Sequence, residues 1–220
     1  MGRLEAADVY ARRRARVLEA LGADGLMVLP AAPELRAGRN LELRYRPDPD
    51  LYYLTGYPEP EAVLVLAPGA DAPYTLFVRP RDPAMEQWTG PRGGPEAARE
   101  VYGADEAYPL DELDSRLIPL LRGAGSIYFP LGSGNDALEA LIVGVLSEAR
   151  RSRQRTGRGP GALVDPGRIL DGMRVVKDDH ELTLLREAAR VTADAFRAAA
   201  RAVRPGAGEW DVEAALEHAF

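Results

Sequence analysis

Two imidazoles and no thiols make up the reactive inventory of this 220-residue chain, in which His180 and His218 are the only histidines and cysteine is absent. Thiolate metal sites, disulfides and cysteine nucleophiles are excluded together, and a histidine-rich metal centre cannot be assembled. A Ser-His-Asp arrangement would have two bases to choose from. His180 falls in the first turn of a patterned helix beside Asp178, Asp179 and Glu181, where an exposed helix-start histidine is a stronger reading than a general base. His218 stands two positions before the last residue and reads as a helix-surface or interface residue. The pairs Glu59/Glu61 and Glu112/Asp114 lie near turns and helix starts, where carboxylates serve solubility and helix dipoles, so they carry no specific acid/base signal.

Two loops add chemistry of another kind. Gly132-Ser133-Gly134-Asn135-Asp136-Ala137 stands between a strand and a helix, the placement of a phosphate-cradling G-x-G-x-x-A turn. The rest of that fingerprint is missing, because the helix leads into arginines where a second strand with an acidic ribose ligand should follow. The preferred reading is a strand-to-helix turn capped by Asn135. Trp88 sits in the polar, glycine-rich stretch Met85 to Gly94. It either packs back into its own domain or anchors an interface or ligand wall, where an aromatic with an N–H handle is favoured.

The elements that must position these residues are legible from periodicity. Val9, Tyr10, Val17, Leu18 and Leu21 share a helical face that Gly22 can end, and Leu26 to Leu29 reads as a buried strand. Ala62 to Leu66 and Tyr74 to Val78 flank a breaker segment and predict an antiparallel hairpin. Pro95 to Tyr102 suits a short helix, Leu110 to Leu121 a weaker one interrupted by Pro119, and Ser126 to Phe129 a strand. A helix carrying Leu138, Leu141, Ile142, Val145 and Leu146 follows. This mixture predicts an α/β fold around a mixed sheet flanked by helices.

Arg150 to Gly161 holds charge and breakers and almost nothing apolar, so residues 1–161 are expected to form one domain and 162–220 the linker and first helices of another. Asp178 and Glu181 predict a capping box opening a long amphipathic helix that Pro205-Gly206 stops. A second helical pattern begins near Glu209 and carries Val212, Leu216 and Phe220. Two helices with nothing to bury against predict that Phe220 is a truncation point in a larger protein.

The net charge of -6 excludes a general polyanion binder, and the local cluster Arg150, Arg151, Arg153, Arg155 and Arg158 has no interleaved aromatic for base stacking. No nucleic-acid partner is expected. No apolar run approaches the about 18 residues of a membrane span, and the start is charged, so neither a membrane helix nor a signal peptide is expected and the anticipated location is cytoplasmic.

The stretch Tyr45-Arg46-Pro47-Asp48-Pro49-Asp50-Leu51-Tyr52-Tyr53-Leu54-Thr55-Gly56-Tyr57-Pro58-Glu59-Pro60-Glu61-Ala62-Val63-Leu64-Val65-Leu66 closely resembles the N-terminal domain of Xaa-Pro aminopeptidases, also called aminopeptidase P. The likeness continues through Glu86-Gln87-Trp88, Met173 to Lys177 with Glu181-Leu182, and Arg204-Pro205-Gly206, and so covers nearly the whole chain. One departure is Pro49, where the family often has Ser, and it touches a loop conformation more than any chemistry. The resemblance implies a creatinase-like N-terminal domain followed by the first helices of an incomplete pita-bread metallopeptidase domain. It implies a hydrolase with two divalent metal ions, usually manganese, bridged by a hydroxide that attacks the carbonyl before proline in a peptide substrate. The family's ligands, two Asp, one His and two Glu, belong to later strands whose motifs do not occur here, and neither Glu217 nor His218 is promoted to that role. This segment is therefore expected to hold no catalytic or metal residue, to shape the site and a homo-oligomer, and to be inactive alone. Trp88 is the candidate substrate-binding residue, placed at a neighbouring subunit's site. A prolidase or creatinase relative and a non-catalytic peptide- or protein-binding module remain as alternatives.

Overall fold

The computed structural model describes residues 3–38 and 43–220. Helix α1 (Arg3–Leu21) ends at Gly22, whose φ of 68° is the left-handed stop that glycine adopts without a Cβ penalty, and β1 (Gly25–Pro30) follows, buried along its whole length. α2 (Pro49–Thr55) precedes β2 (Val63–Leu66) and β3 (Tyr74–Val78), which form the expected antiparallel hairpin with Leu64 opposite Leu76. Two short helices, α3 (Pro83–Thr89) and α4 (Gly94–Glu100), then lead to β4 (Glu106–Pro109). α5 (Leu113–Gly123) runs on through Pro119, forgoing the hydrogen bond a proline cannot donate. β5 (Ser126–Tyr128), α6 (Asp136–Thr156), β6 (Ala162–Val164) and α7 (Gly167–Val175) follow.

The six strands are ordered β4-β3-β2-β1-β5-β6, and every pair is parallel except the two made by β2. Because successive strand side chains point to opposite faces, Met27, Leu29, Leu64, Leu66 and Leu76 pack with Val17, Leu51, Leu54 and Tyr57 on one side. Leu26, Val28, Val63, Val65 and Phe77 pack with Leu117, Leu121, Leu138 and Ile142 on the other. Burying each such side chain contributes roughly 1.5–3 kcal/mol relative to exposure. The sheet is mixed and covered on both faces, and the α/β expectation stands.

The arginine-rich stretch is different from its sequence reading. α6 continues through it to Thr156, with the side chain of Arg153 lying outside the described residues. β6 then pairs with β5, opening on the bond from Gly161 N to Gly125 O. Leu170 and Met173 of α7 enter the core beside Val17 and Leu51. One compact unit therefore reaches Met173, beyond the anticipated division after Gly161, and the second comprises Arg174–Phe220.

In the second unit, α8 (Asp179–Ala202) opens with the capping box: Glu181 N donates to Asp178 Oδ1 at 2.8 Å, and Asp178 N donates to Glu181 Oε2 at 3.0 Å. Val203 caps it, and a turn closed by the bond from Ala207 N to Arg204 O leads to α9 (Glu209–Ala219). Ala195 and Ala199 are buried, whereas Leu184, Leu185, Phe196 and Trp210 stay exposed.

Candidate functional site around Trp88

Trp88 lies on α3, not in an irregular loop, and is 81% exposed. It does not pack back into its own domain. Met85, one turn earlier, is also exposed, so the two apolar side chains stand together on the helix surface.

The segment beneath them is held firmly. Asp82 caps α3, accepting from Ala84 N at 3.1 Å and Met85 N at 3.2 Å, with Pro83 in the first turn where its missing N–H is no loss. Glu86 accepts from Asp82 N at 3.1 Å and from Arg81 Nε and Nη2, each at 3.4 Å. Its carboxyl is drawn below the usual carboxylate range, chiefly by the Arg81 hydrogen bond and further by the backbone N–H groups of Asp82 and Arg92. Gly90, with φ of 85°, closes α3 through its N–H to Glu86 O.

A second tether comes from the family-like stretch. Glu59 Oε1 accepts from Gly93 N at 2.9 Å, and Glu59 Oε2 lies 3.9 Å from Arg79 Nη2 at the end of β3. A Cβ on Gly93 would stand 3.1 Å from Glu59 Oε1 and 2.9 Å from Ala97 Cβ, so the absent side chain permits this approach. Tyr57 is fully buried nearby, edge-on to Tyr102, and its hydroxyl titrates far above the ordinary tyrosine range through burial first and the Glu59 charge second. Glu59 is thus an anchor for the Trp88 segment and Glu61 an exposed residue with φ of 52°, so the two do not act as an acid/base pair.

Pro49 occupies the first turn of α2, after Asp48 caps it by accepting from Asp50 N at 3.0 Å and Leu51 N at 2.8 Å. A proline there fits helix geometry, so the departure from the family pattern strengthens a helix start. The far end of α2 is held by two arginines the sequence reading passed over: Arg13 Nη1 donates to Tyr53 O at 3.2 Å and Arg14 Nη1 to Leu54 O at 2.9 Å. Their signal was available, since positions 13 and 14 fall on the stripe of Val9, Tyr10 and Val17, where only a buried charge with a partner is tolerated.

The other candidates are dispersed. His180 is half-buried in the first turn of α8, and His218 is exposed on α9. Glu112 pairs with Arg116 at 2.6 Å, while Asp114 lines a separate cleft. In the glycine turn, Asn135 precedes α6, but its side-chain amide donates to Ala31 O at 3.2 Å and ties the turn to the end of β1. Glu139 reaches back to Gly132 N at 2.9 Å. Among the described residues, no three His, Asp or Glu side chains come together in a way that would hold a metal ion. The described residues therefore do not fit a two-metal group. No helix among them is long and apolar enough to cross a membrane.

Comparison with known proteins bears on this arrangement. The family described as "Aminopeptidase P, N-terminal domain" matches residues 10–128. The Xaa-Pro aminopeptidase of Escherichia coli (strain K12) is 33% identical over 213 residues, covering 96% of this chain and 48% of that protein. Human Xaa-Pro aminopeptidase 3 is 28% identical over 202 residues, covering 85% of this chain and 38% of its own length. Among solved structures, Pseudomonas aeruginosa aminopeptidase PepP superposes with a TM-score of 0.88 at 38% identity, over 100% of this chain and 49% of that one. The low pH form of Escherichia coli aminopeptidase P gives 0.87 at 33% identity, again over 100% and 49%. The chain spans about half the length of the bacterial curated relatives it matches, 48% of the Escherichia coli enzyme and 47% of the Xaa-Pro aminopeptidase of Haemophilus influenzae.

Proposed function

The chain belongs to the aminopeptidase P family, and from that premise we propose that it forms the N-terminal portion of an Xaa-Pro aminopeptidase, an exopeptidase that releases the residue preceding proline. Two divalent metal ions, manganese by family resemblance, would be held by Asp, His and Glu side chains in the half of the relatives that has no counterpart in this sequence. When bound, such ions polarise the scissile carbonyl and lower the pKa of the attacking water. The residues of this chain instead bound the space the peptide enters and build a homo-oligomer. The absence of cysteine suits a cytoplasmic location.

The observation that carries this reading is Trp88, an exposed indole on a tethered platform. Fixing the segment through Glu59, Asp82 and Glu86 lowers the ordering cost of presenting a large aromatic to a peptide or a neighbouring subunit. An indole so presented is of the kind enriched as an anchor at interfaces and ligand walls.

The test is peptide hydrolysis by the protein comprising this chain and its metal-bearing half. It should release the first residue of an Xaa-Pro peptide, not of the matching Xaa-Ala peptide, and lose that activity with a chelator. Trp88→Ala should raise KM more than it lowers kcat. Cleavage restricted to Xaa-Pro dipeptides would assign a prolidase instead.

A further inference from the structure

A cleft of about 750 Å³ opens between α1, the end of α2 and α4, with Tyr10, Tyr52 and Tyr102 among its walls. Asp8 and Glu100, both exposed, stand at its mouth, and Arg14, 8% exposed, lies at its base. Arg14 is an unusual residue to bury. Its Nη1 is accounted for by Leu54 O, and the guanidinium carbon lies 4.0 Å from the centroid of the Tyr74 ring. Among the described residues, no ion pair is formed with it. The Asp105 carboxylate acts through space and accepts the backbone N–H of Tyr74 at 2.9 Å. Burial lowers the Arg14 pKa, as expected where a cation is desolvated without a contacting counter-ion.

Packing explains Nη1 and the ring contact but leaves Nη2, which borders the cleft at Gly103. A Cβ at Gly103 would stand 3.7 Å from Nη2, and with φ of 68° the position favours glycine. Arg14 and Gly103 both line the cleft. We propose that the cleft binds a short zwitterionic peptide of two to three residues, with its carboxylate on Arg14 and its ammonium toward Asp8 and Glu100. Asp8 and Arg14 are six positions apart on α1, about 9 Å along the axis, and three extended residues span about 10 Å. The tyrosines flank the space between the charges and suit an apolar or aromatic side chain. A ligand carboxylate supplies the counter-charge the buried guanidinium lacks, through a charge-assisted hydrogen bond.

The experiment is an NMR titration of the chain with Gly-Gly-Phe, its C-terminal amide and its N-acetyl form. None contains proline, so failure here is distinct from failure of the Xaa-Pro reading. The free tripeptide should give saturable shifts at the amides of Ala97, Tyr102 and Gly103, and amidation should weaken binding by about tenfold or more. Acetylation, or Glu100→Gln at the exposed mouth, should weaken it less. Arg14→Lys, which keeps the charge but loses the planar fork, should also weaken it, with the unbound spectrum confirming the fold. Equal binding of the amide, or no saturable shift with the folded wild-type chain, would overturn the proposal.

Discussion

The sheet unit and the helical unit are written in similar amphipathic code and reach different ends. In Met1–Met173, helices on both faces of a six-stranded sheet leave Phe77, Leu64, Leu117 and Ile142 without solvent contact. In Arg174–Phe220, α8 carries an equally regular apolar stripe, yet Leu184, Leu185, Phe196 and Trp210 remain exposed and only small alanines are buried. Helical pattern states which face seeks a partner, and the number of partners decides how much stability follows. The first unit is held by packing. The second relies more on local devices: the Asp178/Glu181 box and the Arg190 pairs with Glu187 at 2.7 Å and Asp194 at 3.1 Å.

This contrast breaks most visibly at large apolar side chains. Phe77→Ala should destabilise the first unit by about 3–5 kcal/mol, whereas Leu185→Ala, at a residue 53% exposed, should change stability by no more than about 0.5 kcal/mol. Chemical denaturation of the two variants checks this, and similar losses would erase the distinction. Asp178→Ala should cost about 1 kcal/mol, read as faster amide exchange in the first turns of α8 with the sheet amides unchanged.

Alkaline titration sharpens the comparison from the charge side. Tyr10 and Tyr45, both in the first unit, are raised from 10.0 to about 12, with burial the foremost cause for each. Because the unfolded chain ionises first, their contribution is fully present below pH 10 and is lost as pH rises through about 12. Unfolding followed against pH should show the sheet unit weakening over that window, and Tyr10→Phe should reduce the slope. Trp88→Ala should likewise change stability by no more than about 0.5 kcal/mol despite the size of the side chain. A larger loss on thermal unfolding would mean that the indole supports its own domain.

How much of this was legible depended on where each element finds its partners. β1 and the β2/β3 hairpin announce themselves because central strands buried on both faces must be continuously apolar. The capping box is local and was readable for the same reason that it works. β4 and β6 were missed because short edge strands such as Glu106–Pro109 need little apolar sequence once the hairpin and β5 offer them a template. α2 was hidden by Pro47 and Pro49, which read as breakers until Asp48 is seen capping the first turn. Trp88 was visible as a residue but not as a platform, because its tether from Glu59 to Gly93 joins positions 34 apart. Arg13 and Arg14 were legible as charges on the apolar stripe of α1, whereas their carbonyl partners on α2, 40 positions away, needed the tertiary fold.

The central claim is that this polypeptide frames a peptidase site without carrying its reaction centre. Its most direct test is turnover of an Xaa-Pro peptide by the purified 220-residue chain with added manganese, beside the same chain joined to the remaining half of the Escherichia coli relative it matches. The account predicts product only from the joined form. Metal-dependent release of the first residue by the chain alone, at a rate matching the joined form, would contradict it.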